Sequence, residues 1–408
     1  MMKPDSINFT WIDTDHKLKD FSKDHTLQQW IAFDTEFIGE RRDKTLLCLI
    51  QVSSELGIFL IDCIKINDLT PFLNLVINPD ILKITHAGEN DYKVLFELYR
   101  IIPVNVADVQ IAAGFAGYKF PVSLAGLMSG ELNRKLDKSY TVIDWEQRPL
   151  DERYIQYAVE DVLFLKQIYD RLLARITKAG MESWIKQEFE FLTLRETYAG
   201  SPEKEALAAI NLTQLSQKER ILMLRLYQWR YDQAELTGKS KEKILPKKWI
   251  NILARQLKHG KKHLLSNRSI SSGFIDAQWT QLELLLNQPT TDDERELVKN
   301  ATGETPTDPV HESLQDLVMS IIRYQCRLKG VDPGLVMPPH IIKLLKRKVT
   351  DASKILETTW RSDLLGDEFL KWIDFENLLS FTFEENKIII EKNDKNKNKN
   401  FFLVVSHC

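Results

Sequence analysis

Trp30-Ile31-Ala32-Phe33-Asp34-Thr35-Glu36-Phe37 is an apolar, β-favouring run that ends on two carboxylates one residue apart. Side chains at i and i+2 of a strand leave the same face, so Asp34 and Glu36 project together at the strand's end. Hard oxygen ligands presented in this way suit magnesium or manganese rather than zinc. An Asp-x-Glu on a strand is also what a solvated face shows, so the pair acquires meaning only from partners elsewhere in the chain.

Working outward, Leu46–Val52 and Ile58–Ile61 are further short apolar runs separated by turns, with Ile81–Thr85 a fourth candidate strand and Val104–Val106 a short fifth. Helical spacing takes over near Glu89, with Tyr92, Leu95, Phe96 and Tyr99 on one stripe. Successive strands followed by alternating helices and strands predict a mixed α/β sheet. Asp91 falls just after the fourth strand, through His86-Ala87-Gly88-Glu89-Asn90, near a helix start. An acid there is also explained by the helix macrodipole. Residues 151–200 read as helical throughout, which puts Tyr157 and Asp161, four apart, on one helix face. Four carboxylates and a phenol are the equipment for holding two divalent ions against a phosphodiester.

In order, spacing and local structure these residues resemble the DEDD exonucleases of the ribonuclease H-like fold, in the variant with tyrosine in the third motif. Asp34 and Glu36 match the first motif, Asp91 the second, and Tyr157 with Asp161 the third. The resemblance extends to ribonuclease D through Glu40-Arg41, Leu49-Ile50-Gln51, Leu136-Asp137-Lys138-Ser139, Asp144-Trp145 and Arg148-Pro149-Leu150. It covers about residues 8–175 and implies an α/β ribonuclease H-like exonuclease domain with a mixed sheet, assigned to 1–200. Val109 departs from the pattern, standing where the family usually has threonine.

The rest of the chain reads as helices. Leu226-Tyr227-Gln228-Trp229-Arg230, Ala234 and Ile244-Leu245-Pro246 are similar to the helicase-and-RNase-D C-terminal (HRDC) module, placed at 212–288. Trp229 resembles a base-stacking platform, although tryptophan on an apolar helix face is more often core. Residues 289–307 are polar without an apolar period and read as a linker. Asp308-Pro309 reads as a cap with proline at the first helical position. It opens a third segment, 308–378, whose Thr359-Trp360-Arg361-Ser362 is similar to a second, diverged all-α HRDC-like copy. The tail, 379–408, has no match. Its Lys392–Asn400 run is low in complexity, and Phe401–Val405 is a candidate strand beside Ile388–Ile390.

Charge is distributed unevenly. The chain carries 55 Lys+Arg against 58 Asp+Glu, but residues 212–288 hold 14 against 6. A basic module of this kind points to phosphate partners, although a solvated basic helical surface gives the same count. No apolar run reaches the roughly 18–20 residues of a membrane span. The first residues carry no apolar signal core, and the four cysteines show no CxxC spacing. Soluble cytoplasmic material is the expectation.

The resemblance implies a 3′-to-5′ exoribonuclease that uses two divalent ions (Mg²⁺ or Mn²⁺), held by Asp34, Glu36, Asp91 and Asp161, with Tyr157 orienting the water. It implies an RNA substrate such as a tRNA precursor, no obligate protein partner and a monomer. Lys138 and Arg148 are candidate phosphate contacts, and pairing with a local acid such as Asp137 or Asp151 is the competing account of each. A DNA 3′-to-5′ exonuclease and a non-catalytic nucleic-acid-binding protein are the alternatives in view.

Overall fold

The structure, a computed structural model, describes residues 8–39, 45–135, 144–210, 215–301, 309–338, 360–366, 369–370, 379–384 and 387–392. They gather into two compact units. The first takes the described residues of Met1–Ala107, Asp137–Lys166 and Glu190–Glu304, and the second those of Asp108–Leu136, Gln167–Phe189 and Thr305–Cys408.

A six-stranded sheet organises the first unit. Its strands are β1 (Thr10–Ile12), β2 (Trp30–Ile38), β3 (Leu46–Ser54), β4 (Gly57–Asp62), β5 (Leu82–Thr85) and β6 (Val106–Asp108), in the order β1-β4-β3-β2-β5-β6. β2 runs antiparallel to β3 and parallel to β5, and β4 runs parallel to β1, so the sheet is mixed as the sequence predicts. The four longer strands predicted for this sheet are present, and the short fifth, expected at Val104–Val106, lies at Val106–Asp108. β1 was not expected, because three residues are too few to show a period.

Ile31, Ala32 and Phe33 are all buried, as are Leu47 through Ile50, because helices cover both faces of the central strands. Phe33 packs edge-on against Phe72 of the Thr70–Val76 helix and against Tyr92 of the Glu89–Tyr99 helix. On the other face lies the Glu152–Leu163 helix, N-capped by Asp151. Ser53 of β3 donates its hydroxyl to Val162 O at 2.9 Å and so fixes that helix against the sheet.

Helices from Pro202 onward complete the first unit around a separate apolar core that draws on residues from Ala206 to Val298. Its long helix, Gln217–Thr237, starts in a capping box made by Ser216 and Glu219 and ends at Gly238, whose φ of 64° suits glycine. Trp229 is buried in this core and is unavailable as a stacking platform. The segment read as a linker differs from expectation: Asp292–Ala301 is a helix, and its Val298 enters the same core. Leu297 and Val298 are its only apolar pair, too short a run for a periodic signal. Arg225 secures this helix. It pairs with Glu294 through two contacts of 2.7 Å, and it also donates to the carbonyls of Leu285, Gln288 and Pro289 at the end of the Ser272–Asn287 helix.

In the second unit Trp360 stacks on Trp184 and tilts against Phe115, with its indole N–H on Glu188 at 2.6 Å. Arg361 bridges Glu188 to the carbonyls of Leu335 and Val336. The helix opening at Pro309 is present, while its expected cap, Asp308, lies outside the described residues, as do Lys392's successors through Asn400 and Phe401–Val405. Ile388–Ile390 does form strand, antiparallel to the upstream Leu379–Glu384.

Arg225 is buried among carbonyls with one carboxylate, so removing its charge leaves Glu294 unpaired. Arg225→Met is expected to cost about 3–5 kcal/mol in urea unfolding. A loss under about 1 kcal/mol would show that the arginine fills space and does not hold the helix.

Candidate metal centre

β2 carries Asp34 and Glu36 on one face and Thr35 on the other, and its register with β3 shifts between Glu36 and Phe37. Such irregularities re-aim side chains and recur beside functional sites. Asp161 comes down from the Glu152–Leu163 helix onto the same face. One oxygen each from Asp34, Glu36 and Asp161 lies within 4.8 Å of the others, and this is the one such cluster among the described residues. One turn earlier, the Tyr157 hydroxyl donates to the Asp161 carboxylate. The Tyr157 ring is backed by Trp145, with centroids 6.3 Å apart.

Asp91 reaches β2 from the opposite side. It lies in the first turn of the Glu89–Tyr99 helix, buried, and its Oδ1 accepts from Thr35 N at 3.0 Å and from Thr35 Oγ1. The turn that delivers it is tight. Ala87 has a φ of 55°, and a Cβ on Gly88 would stand 2.6 Å from Thr85 Cβ, so the approach requires glycine. Of the five residues read from sequence, three share a ligand-sized space, Tyr157 is tied to one of them, and Asp91 stands behind them on Thr35.

The carboxyls do not titrate normally in this setting. Burial pushes Asp34 well above the usual range, reinforced by the charges of Asp91, Asp161 and Glu36. Burial also lifts Glu36 to about 9, with Asp161 and Asp91 adding to it. Asp161 rises to about 7, again mainly by burial, against the opposing pull of the Tyr157 hydrogen bond. Tyr157 is raised further above its ordinary value by burial and by the surrounding carboxylates. Crowded acidic oxygens that resist ionisation in each other's company form a donor set for a hard divalent cation, whose charge removes the conflict.

The two predicted phosphate contacts fare differently. Lys138 lies outside the described residues. Arg148 is a correction: it pairs with the buried Asp62 of β4 at 2.7 and 2.8 Å and donates its remaining N–H groups to the carbonyls of Trp145, Gln147 and Cys48. All its donors are used inside the protein, and they tie the segment that carries Trp145 to the sheet beneath Tyr157. The local acid expected to compete for it, Asp151, pairs with Arg153. Asp62 is 86 residues away in sequence, so no local pattern could reveal it.

The 3′-5′ exonuclease family model matches residues 9–177, the part of the chain that builds this centre. Among curated proteins, ribonuclease D of Zymomonas mobilis is 29% identical over 89% of this chain and 94% of its own length. Ribonuclease D of Sphingobium indicum is 37% identical over 43% of this chain and 46% of its own. The crystal structure of Escherichia coli RNase D, an exoribonuclease involved in structured RNA processing, superposes with a TM-score of 0.72 at 23% identity. It covers 91% of this chain and 99% of that one, and so shares the fold.

Carboxyls with raised pKa values favour the folded state while protonated, and that contribution is lost as pH rises through the raised values. Metal-free protein is therefore expected to melt at progressively lower temperature between about pH 5 and pH 9, and Mn²⁺ should restore most of the loss at the alkaline end. Asp34→Asn should flatten the slope in chelator. Melting curves in chelator that do not change with pH would contradict the crowded-carboxylate account.

Proposed function

We propose that this chain, which belongs to the ribonuclease D family, is a metal-dependent 3′-to-5′ exoribonuclease that hydrolyses the terminal phosphodiester of RNA and releases nucleoside 5′-monophosphates. The observation that carries the reading is the convergence of Asp34, Glu36 and Asp161 within one ligand-sized space, with Tyr157 hydrogen-bonded to Asp161.

Asp34, Glu36, Asp161 and Asp91 are the residues that would hold two divalent ions, Mg²⁺ or Mn²⁺. When bound, such ions lower the pKa of water and neutralise the charge that develops on the phosphodiester. The chain's own residues do the rest. Asp34 and Glu36 are fixed by the strand, Asp161 by a helix pinned through Ser53, and Asp91 by its bonds to Thr35. Tyr157, raised above its already high ordinary value, keeps its proton at neutral pH. Its role is to orient the attacking water as a hydrogen-bonding group and not to deprotonate it.

The helical parts supply binding in this reading. Residues 212–288 act as a basic HRDC-like module that attracts the RNA backbone without regard to sequence, and 308–378 as a second, diverged copy. Trimming of tRNA precursors or other small structured RNAs, by a monomer in the cytoplasm, fits the family and the absence of any helix among the described residues long and apolar enough to cross a membrane.

Purified protein is to be incubated with 5′-labelled single-stranded RNA and the matching DNA in Mg²⁺, Mn²⁺ or chelator. A metal-dependent ladder of 3′-shortened RNA, lost in Asp34→Ala, is the expected result. Preferential shortening of the DNA would reassign the enzyme to DNA. Asp161→Asn is expected to slow cleavage by more than about 10²-fold, beyond the effect of an outer-shell change, with RNA binding kept. Salt titration of RNA binding by the full chain should weaken it steeply, and a flat response would remove the basic module from the RNA interface.

A further inference from the structure

Gln51 lies at the middle of β3, fully buried and directly opposite Asp34 in the β2–β3 register. Directly opposed residues of an antiparallel pair share a face, so its side chain leaves the sheet on the side of Asp34 and Glu36. Two residues further on and on the same face, Ser53 holds Val162, the neighbour of Asp161. Gln51 is therefore enclosed between the strand acids and the helix that brings the third one. Neither its Nε2 nor its Oε1 has a hydrogen-bond partner among the described residues. A buried primary amide left in this state is destabilising, and a leucine would fill the same space without that penalty. Glu36, paired with Leu49 one step along the ladder, is the diagonal neighbour of Gln51 on the same face, within reach of a long side chain.

We infer that Gln51 is a positioning residue for Glu36: its Nε2 donates to one oxygen of the ionised Glu36 carboxylate and so presents the other oxygen to a bound divalent cation. The inference rests on the metal-centre reading above. The Glu36 carboxylate supplies the acceptor that the amide lacks, and the amide fixes the carboxylate rotamer in return. Groups that orient a metal ligand in this way typically contribute 10–100-fold in metal affinity.

The test is Mn²⁺ binding by titration calorimetry on wild type, Gln51→Leu, Glu36→Gln and the double variant, beside melting temperatures in chelator. Gln51→Leu is expected to melt in chelator at or above the wild-type temperature, since it removes an unpartnered amide, while its Mn²⁺ affinity falls about 10–100-fold. Its cleavage should need correspondingly more Mn²⁺ for half-maximal rate. In the Glu36→Gln background the same change should lower affinity by less than about twofold, because the two residues act as one unit. Gln51→Met, closer in shape, should behave as Gln51→Leu does and stands in for it if the leucine variant does not fold. Apolar variants that bind Mn²⁺ like wild type, or lose the same affinity with and without Glu36, overturn the inference. Wild type that neither binds Mn²⁺ nor cleaves RNA would instead overturn the metal-centre reading itself.

Discussion

Mutual repulsion among carboxylates at the end of β2 is the constraint around which the first unit is built. What weighs most on Asp34 and Glu36 is burial and the other acids of the cluster. Left to relax, like charges in a poorly solvated space would push their carriers apart. Each carrier is therefore tied down by something other than the charge itself. The strand holds two of them by its ladder with β3. The Ser53 hydroxyl holds the helix of the third, and Thr35 holds Asp91 from behind. Arg148 and Asp62 act at one remove: they bind the Trp145 segment to the sheet, and Trp145 backs Tyr157.

These restraints differ in how visible they are in sequence. The acids themselves could be read, because strand and helix periods of 2 and 3.6 translate directly into shared faces. Asp34 with Glu36 and Tyr157 with Asp161 are such pairs. The order of the motifs along the chain then limited the fold to few candidates. What holds the acids was not legible, since each restraint joins residues distant in sequence. Ser53 and Val162 are 109 positions apart, and Arg148 and Asp62 are 86. Arg148 read as a phosphate contact because a basic residue near an acidic site has that prior, and nothing local betrays its buried partner.

Gln51 entered the sequence reading only as part of Leu49-Ile50-Gln51, and its enclosure was hidden for a related reason. Between Ile50 and Val52 it reads as one polar residue on a half-solvated strand, the ordinary alternation of a sheet with one wet face. Only the helix that closes over β3 turns that position into an enclosed one. The Asp292–Ala301 helix escaped notice in a complementary way. Its contribution to the core is a buried valine and a half-buried leucine beside it, and the arginine that anchors it lies 69 residues upstream.

Burial of the acids has a chemical consequence beyond stability. Because ionisation is disfavoured in the metal-free centre, a cation that enters must displace protons, which couples its affinity to pH more strongly than at an exposed carboxylate site. The same burial acts on Tyr157 in the opposite functional sense. A phenol buried beside these acids is held in its protonated form, so its hydroxyl stays committed as a donor to Asp161. The Glu152–Leu163 helix thus presents both a ligand and a fixed proton to the same space, one turn apart. Exchanging the order of the two along the helix would change which of them the Ser53–Val162 bond steadies, and that bond steadies the ligand.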